Sequence, residues 1–193
     1  MALVKTPELS TKPELGLKPF IAVSEASTTA LCKSPEKLKE VLQALQAGLS
    51  VHYVSEGDWS MNDMVLEILK LTGPAELHFT TYAISELPIR QLILAQESGD
   101  LTSVHMLIDY RAKVRTPEVF QLASMNVNKF FLTSIHAKVT VIRNAGHCIT
   151  IVSSANWTKN PRIEAGVITL DRSAGDFHIE WIEKSMSNAE IFN

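Results

Sequence analysis

Two neighbouring stretches decide how this chain is read: I-H-A-K-V-T-V-I at Ile135–Ile142 and I-T-I-V-S-S-A-N at Ile149–Asn156. Both have strand-like apolar patterning, and Asn144-Ala145-Gly146 between them has turn chemistry, so together they predict a hairpin. In the first stretch, alternation sets Ile135, Ala137, Val139 and Val141 on one face and His136, Lys138 and Thr140 on the other. A histidine and a lysine two residues apart on a strand point the same way. Ser154 and Asn156, at the end of the second stretch, share a face for the same reason. After a short basic loop, 157–163, Glu164 heads a further strand running to Leu170. If these strands are neighbours, His136, Lys138, Ser154, Asn156 and Glu164 converge at one mouth of a sheet.

Upstream, apolar periods of two and of 3.6 residues alternate. Ser34-Pro35 opens a helix with Leu38, Val41, Leu42 and Leu45 on one face, closed by Gly48. A strand at Val51–Ser55 precedes a helix from about Ser60 that Gly73-Pro74 stops. Glu76–Ile84 reads as a strand, Ser85 opens a helix, Leu101–Tyr110 reads as a strand, and Thr116-Pro117 opens another helix. Lys129–Ile142 reads as one long strand, and the tail from about Asp176 as helix. This order predicts an α/β fold with a mixed, mostly parallel β-sheet flanked by helices on both faces. Residues 1–30, with Pro7, Pro13 and Pro19 and no periodicity, read as an extended arm, and 31–193 as a single domain.

Composition narrows the possibilities. At 193 residues and 46% hydrophobic, the chain is long enough for one good core. No run approaches the roughly 18 apolar residues of a membrane span, and Met1–Ser10 lacks the apolar segment of a secretory signal. Two cysteines are too few for a disulfide framework. The expectation is a soluble cytoplasmic domain. Net charge is −3, but it is unevenly spread. Between Arg111 and Arg162 there are eight basic residues against Glu118 alone, a net +7, while the remainder carries −10. Such a block predicts a localised face that attracts anions.

His136-Ala137-Lys138, then Ser153-Ser154-Ala155-Asn156, then Glu164 at the end of N-P-R-I-E resemble the signature of the phospholipase D superfamily. That signature reads H-x-K-x(4)-D, G-[SG]-x-N and a following Glu. The chain departs from it in three places. Arg143 stands where the motif has Asp, Ser153 stands for the glycine, and the gap to S-x-N is three residues longer. Asp109, at the end of its strand, is a candidate to supply the missing support.

The resemblance implies catalytic roles for His136, Lys138, Ser154, Asn156 and Glu164. Histidine serves as nucleophile and as proton donor to the leaving oxygen. Lys138 and Asn156 contact the nonbridging oxygens, and Glu164 orients an imidazole. Because the family's two-step chemistry uses two such histidines and this chain carries one motif, the resemblance implies a homodimer with a shared site and a phosphohistidine intermediate. It implies no cofactor and no metal, and His52, His78 and His105 read as packing or hydrogen-bonding residues. Arg143, Lys159 and Arg162 are assigned to substrate, with Trp157 either a base-stacking platform or a core residue. The basic block favours nucleic acid as substrate, hence a nuclease, with no membrane involvement. The alternatives are a catalytically impaired dimer that binds nucleic acid or a protein partner, and a phosphodiesterase acting on phospholipid.

Overall fold

A computed structural model describes residues 26–31, 38, 39, 42, 45, 47, 49–57, 59–188, 190 and 191. Its strands are β1 (Ala26–Leu31), β2 (Leu49–Ser55), β3 (Ala75–Thr81), β4 (Leu101–Asp109), β5 (Lys129–Thr133), β6 (Val139–Arg143), β7 (Cys148–Ser153), β8 (Glu164–Leu170) and β9 (Glu190–Ile191). They form one mixed sheet in the order β1-β2-β8-β7-β6-β3-β4-β5-β9. The pairs β1–β2, β3–β4 and β4–β5 are parallel and the others antiparallel, so β6, β8 and β9 run against the remaining strands. The expected α/β architecture with a mixed sheet is what the chain adopts, six of the nine strands running in one direction.

Helices cover both faces. On one lie α1 (Met61–Thr72), α2 (Glu86–Ser98) and α4 (Pro117–Asn126), the last preceded by the single turn α3 (Ala112–Arg115). Ser60 starts α1 with a reciprocal capping box: its hydroxyl accepts the Asp63 N–H at 3.3 Å, and the Asp63 carboxylate accepts the Ser60 N–H at 2.7 Å. Met64, Val65 and Ile68 of α1, Ile89 and Leu92 of α2, and Val119 and Ala123 of α4 pack with Leu77, Phe79, Val104 and Ile108 of the sheet. Burying each large side chain of this kind contributes about 1.5–3 kcal/mol.

The opposite face is covered by α5 (Arg172–Ser187), whose Ile179, Ile182 and Met186 meet Val139, Val141, Cys148 and Leu107. Close approach here needs Gly175, because a Cβ at that position would lie 2.1 Å from Cys148 Sγ.

Two expectations concern residues largely outside the described set. The helix read at 34–48 is described only at a few positions, of which Leu38 and Leu42 are buried. Of the stretch read as an arm, residues 26–30 are extended and pair in parallel with β2.

The reading of Lys129–Ile142 as one strand is corrected. The chain leaves the sheet after Thr133 and re-enters at Val139, on the far side of β3 and β4. Residues 134–138 thus cross the carboxyl ends of β4 and β3. They can leave the ladder because side chains there replace its partners: Asp109 accepts the Ile135 N–H at 3.2 Å, and Thr80 donates to the Ala137 carbonyl at 3.0 Å. His136 and Lys138 therefore sit on a crossing segment rather than within a strand.

Candidate active site at the carboxyl ends of the strands

Open α/β sheets bind ligands beyond the carboxyl ends of their strands, and the crossing segment delivers His136 and Lys138 to that edge. Consecutive threonines ending β3 hold the two halves of the motif. Thr80 Oγ1 donates to Ala137 and accepts the Val139 N–H at 3.2 Å, bracketing Lys138. Thr81 Oγ1 lies 3.3 Å from Asn156 Oδ1 and accepts the Trp157 N–H at 3.3 Å. Asn156 Oδ1 also accepts the Ala83 N–H at 3.3 Å, so the carbonyl end of this amide is anchored and the NH2 end remains to donate. The Lys138 carbonyl accepts the Ser153 N–H at 3.1 Å, joining the halves directly.

Lys138 Nζ donates to the His136 carbonyl at 2.8 Å and lies 3.4 Å from each ring nitrogen of His136. Partial burial draws the Lys138 ammonium below its ordinary pKa, while the negative charge of Glu164 opposes that shift. Glu164 faces the same space, but its carboxylate is not bonded to His136. It accepts the Ser154 hydroxyl and, at 2.9 Å, the Asn160 amide.

Ser153, at the position of the motif's glycine, accepts the Tyr53 hydroxyl at 2.8 Å and the Ala155 N–H at 2.9 Å. Tyr53 reaches it across Gly166, which pairs with both residues in register. A Cβ on Gly166 would lie 2.6 Å from the Tyr53 oxygen and 2.7 Å from the Val152 carbonyl. Burial pushes the Tyr53 phenol up to about 12; its hydrogen bond to Ser153 opposes this, and Glu164's charge adds to it.

Several contributors had no motif to announce them. The Tyr82 ring lies 5.1 Å from that of His136, with the Arg111 guanidinium 4.7 Å, the Arg115 guanidinium 5.0 Å and Lys138 Nζ 5.9 Å from its centre. The basic block was the available signal for the arginines; nothing local marked Tyr82, Thr80 or Thr81. Asp109 is fully buried, pairs with Arg111 through Nε at 2.6 Å and Nη2 at 2.9 Å, and anchors Ile135.

Two substrate assignments are corrected. Arg143 ends β6 on the side away from Lys138, roughly 16 Å along the strand, and pairs with Glu76 and, at 3.1 Å, with Asp176. Trp157 is 1% exposed and stacks on Phe79 with ring centres 4.2 Å apart, which makes it a core residue rather than an open platform. Lys159 lines a cleft with Trp59, Asp63, Pro88 and Asn160, and Arg162 is exposed on the same loop.

No protein-family model and no curated protein matches the sequence. Solved structures do match. Nuc from Salmonella typhimurium, a phospholipase D family member, aligns over 75% of this chain and 99% of its own at 16% identity, with a TM-score of 0.56. The fold is a phospholipase D fold. A polyphosphate kinase from Porphyromonas gingivalis aligns over 74% of this chain and 26% of its own, at 15% identity and a TM-score of 0.53. TrmBL2, an archaeal chromatin protein whose structure shows a novel mode of DNA binding, aligns over 72% and 53%, at 10% identity and a TM-score of 0.50. At such identities the likeness is one of architecture. Within this phospholipase D fold the H-x-K and S-x-N-x(7)-E residues lie at the shared sheet edge described above. Among the described residues no helix is long and apolar enough to cross a membrane.

Proposed function

We propose that the protein is a metal-independent phosphodiesterase of the phospholipase D type, acting on nucleic acid through a site completed by a second copy of the chain. The observation that carries this reading is the double grip of Thr80 and Thr81, which brings His136 and Lys138 to the sheet edge that holds Asn156 and Glu164. A positively charged, aromatic rim of Arg111, Arg115 and Tyr82 suits a chain of phosphates with stackable bases.

In this scheme an imidazole nitrogen of His136 attacks phosphorus and the bond to the leaving oxygen breaks. The leaving oxygen takes its proton from His136 of the partner subunit, and His136 is left phosphorylated. That second histidine, now neutral, removes a proton from water, whose oxygen attacks phosphorus and releases His136. Lys138 and the Asn156 amide donate to the nonbridging oxygens as charge builds on them. Glu164, already held by Ser154 and Asn160, is a fixed negative charge that favours the cationic form of an imidazole brought against it.

The test is hydrolysis of single- and double-stranded DNA and RNA in EDTA, with His136→Asn as control and phospholipid vesicles as a parallel substrate. Nucleic-acid turnover that resists chelation and vanishes in His136→Asn, by roughly a thousandfold or more, supports the reading. Salt-sensitive binding without turnover would instead identify a non-catalytic binding dimer, and turnover of vesicles alone a lipid phosphodiesterase.

A further inference from the structure

On the face of the sheet covered by α5, two residues back along β3 from Thr80, three side chains of unrelated sequence position meet. His78 of β3 and His105 of β4 are register partners on adjacent parallel strands, with ring centres 4.2 Å apart. Glu183 descends on them from α5. One nitrogen of each imidazole and one Glu183 oxygen all lie within 4.8 Å of one another.

We propose that His78, His105 and Glu183 form a binding site for one divalent transition-metal ion of the zinc class, whose role is to fasten α5 to the sheet.

Three observations carry it. First, His78 is 1% exposed, and its ring nitrogens have only long contacts that fall short of good hydrogen-bond geometry, Nδ1 at 3.3 Å from Glu183 Oε1 and Nε2 at 3.5 Å from Glu76 Oε2. An imidazole sealed from water and so loosely partnered is unfavourable, and coordination supplies a strong partner at one nitrogen. Second, one spacing is already that of an occupied site, and the other pair, His105 and Glu183, is a direct hydrogen bond that an entering ion would replace. Two ligand atoms bound tetrahedrally at zinc distances are about 3.3 Å apart, and His78 Nδ1 lies 3.3 Å from Glu183 Oε1, the oxygen that also contacts His105 Nδ1. Third, the outer groups are those that metal-bound histidines and carboxylates use. Glu76 Oε2 lies 3.5 Å from His78 Nε2, placed to receive its proton once Nδ1 coordinates, and Glu76 is itself held by Arg143. Lys129 Nζ donates to the other Glu183 oxygen at 3.0 Å.

Two imidazoles and a carboxylate are a donor set that zinc accepts, with a fourth position left for water. Glu183 is one-third exposed, which gives an ion a way in along α5. This site stands independently of the phosphodiesterase reading and takes no part in that chemistry.

The experiment uses the full chain, stripped with EDTA, desalted and titrated with Zn2+ against a chromophoric chelator, alongside thermal melts with and without the ion. One Zn2+ per chain bound at micromolar concentration or tighter, with a raised melting temperature, is expected. Visible absorption bands of a four-coordinate ion on substitution with Co2+ are expected as well. His105→Asn and Glu183→Gln, each checked for folding by circular dichroism, should weaken binding by roughly tenfold or more and abolish the thermal response. Should one of them fail to fold, the other decides. The exposed His52→Asn and the active-site His136→Asn should bind as the parent does. No binding beyond that of His105→Asn, or binding lost in His52→Asn or His136→Asn, overturns the proposal. Because His136→Asn separates the two sites, failure here leaves the phosphodiesterase reading untouched, and the reverse also holds.

Discussion

The carboxylate of Asp109 accepts the backbone N–H of Ile135 at 3.2 Å, one residue before His136. The contact joins the end of β4 to the segment that crosses over it, and Arg111 completes the carboxylate's shell. Burial alone would raise this carboxylate's pKa, but the Arg111 side chain and the Arg111 and Ile135 N–H groups outweigh it and hold the pKa below the ordinary carboxylate value. Arg143 occupies the position of the motif's Asp but is turned to the far end of β6. Asp109 is the acidic residue that supports the His136 segment.

A depressed folded-state pKa stabilises the fold above the ordinary carboxylate range, and that stability is lost as pH falls through the folded value. Wild-type protein should therefore lose stability progressively below about pH 4. Asp109→Asn should be less stable at neutral pH by about 1–3 kcal/mol, with a difference that shrinks as pH drops. Urea melts of both proteins from neutral pH downward measure this; a pH-independent gap would remove Asp109 from the account.

Thr80→Val keeps the shape of the side chain and deletes its hydroxyl. The Val139 N–H and Ala137 carbonyl lose that partner, which should cost about 1–3 kcal/mol and loosen the segment carrying His136 and Lys138. The fall in kcat should exceed any change in KM. Parallel denaturation and steady-state kinetics separate the two effects.

Gly166→Ala drives a methyl group into the Tyr53 oxygen and the Val152 carbonyl. A loss of about 1–3 kcal/mol or more is expected. The double variant Tyr53→Phe/Gly166→Ala should recover little of it, because the backbone clash remains. Recovery to wild-type melting temperature would show that the phenol oxygen alone sets the limit.

Arg115→Gln removes an exposed guanidinium beside Tyr82 without touching the Asp109–Arg111 pair. Affinity for nucleic acid should fall, with the slope of log K against log salt reduced by about one, while kcat at saturation changes little. Arg143→Gln, at the far end of β6, should leave that slope unchanged.

His78 lies two residues before Thr80 on β3, on the face covered by α5. Burial foremost, then His105, lowers its pKa from 6.5, so protonation is disfavoured in the folded state. Stability should decline as pH falls from about 6.5 toward that lowered value, and His78→Gln should flatten this part of the profile. Melting temperatures between neutral and mildly acidic pH measure it.

Local pattern was enough for much of this protein. Alternation marked β3, β4, β7 and β8, Ser60 and Gly73 bounded α1, and Asn144-Ala145-Gly146 marked the hairpin, because caps, turns and side-chain alternation are short-range properties of the chain. The spacing of His136, Lys138, Ser154, Asn156 and Glu164 is likewise a local property, and it is enough to point to one site. What only the tertiary structure decided was where continuity breaks. Residues 129–142 read as one strand because their apolar pattern is unbroken, and the backbone partners that divide them, Asp109 and Thr80, come from strands more than twenty residues away. The same holds for Arg143, drawn off by Glu76 and Asp176, and for the meeting of His78, His105 and Glu183. Such partnerships depend on strand order and helix docking, and neither leaves a periodic trace in the chain.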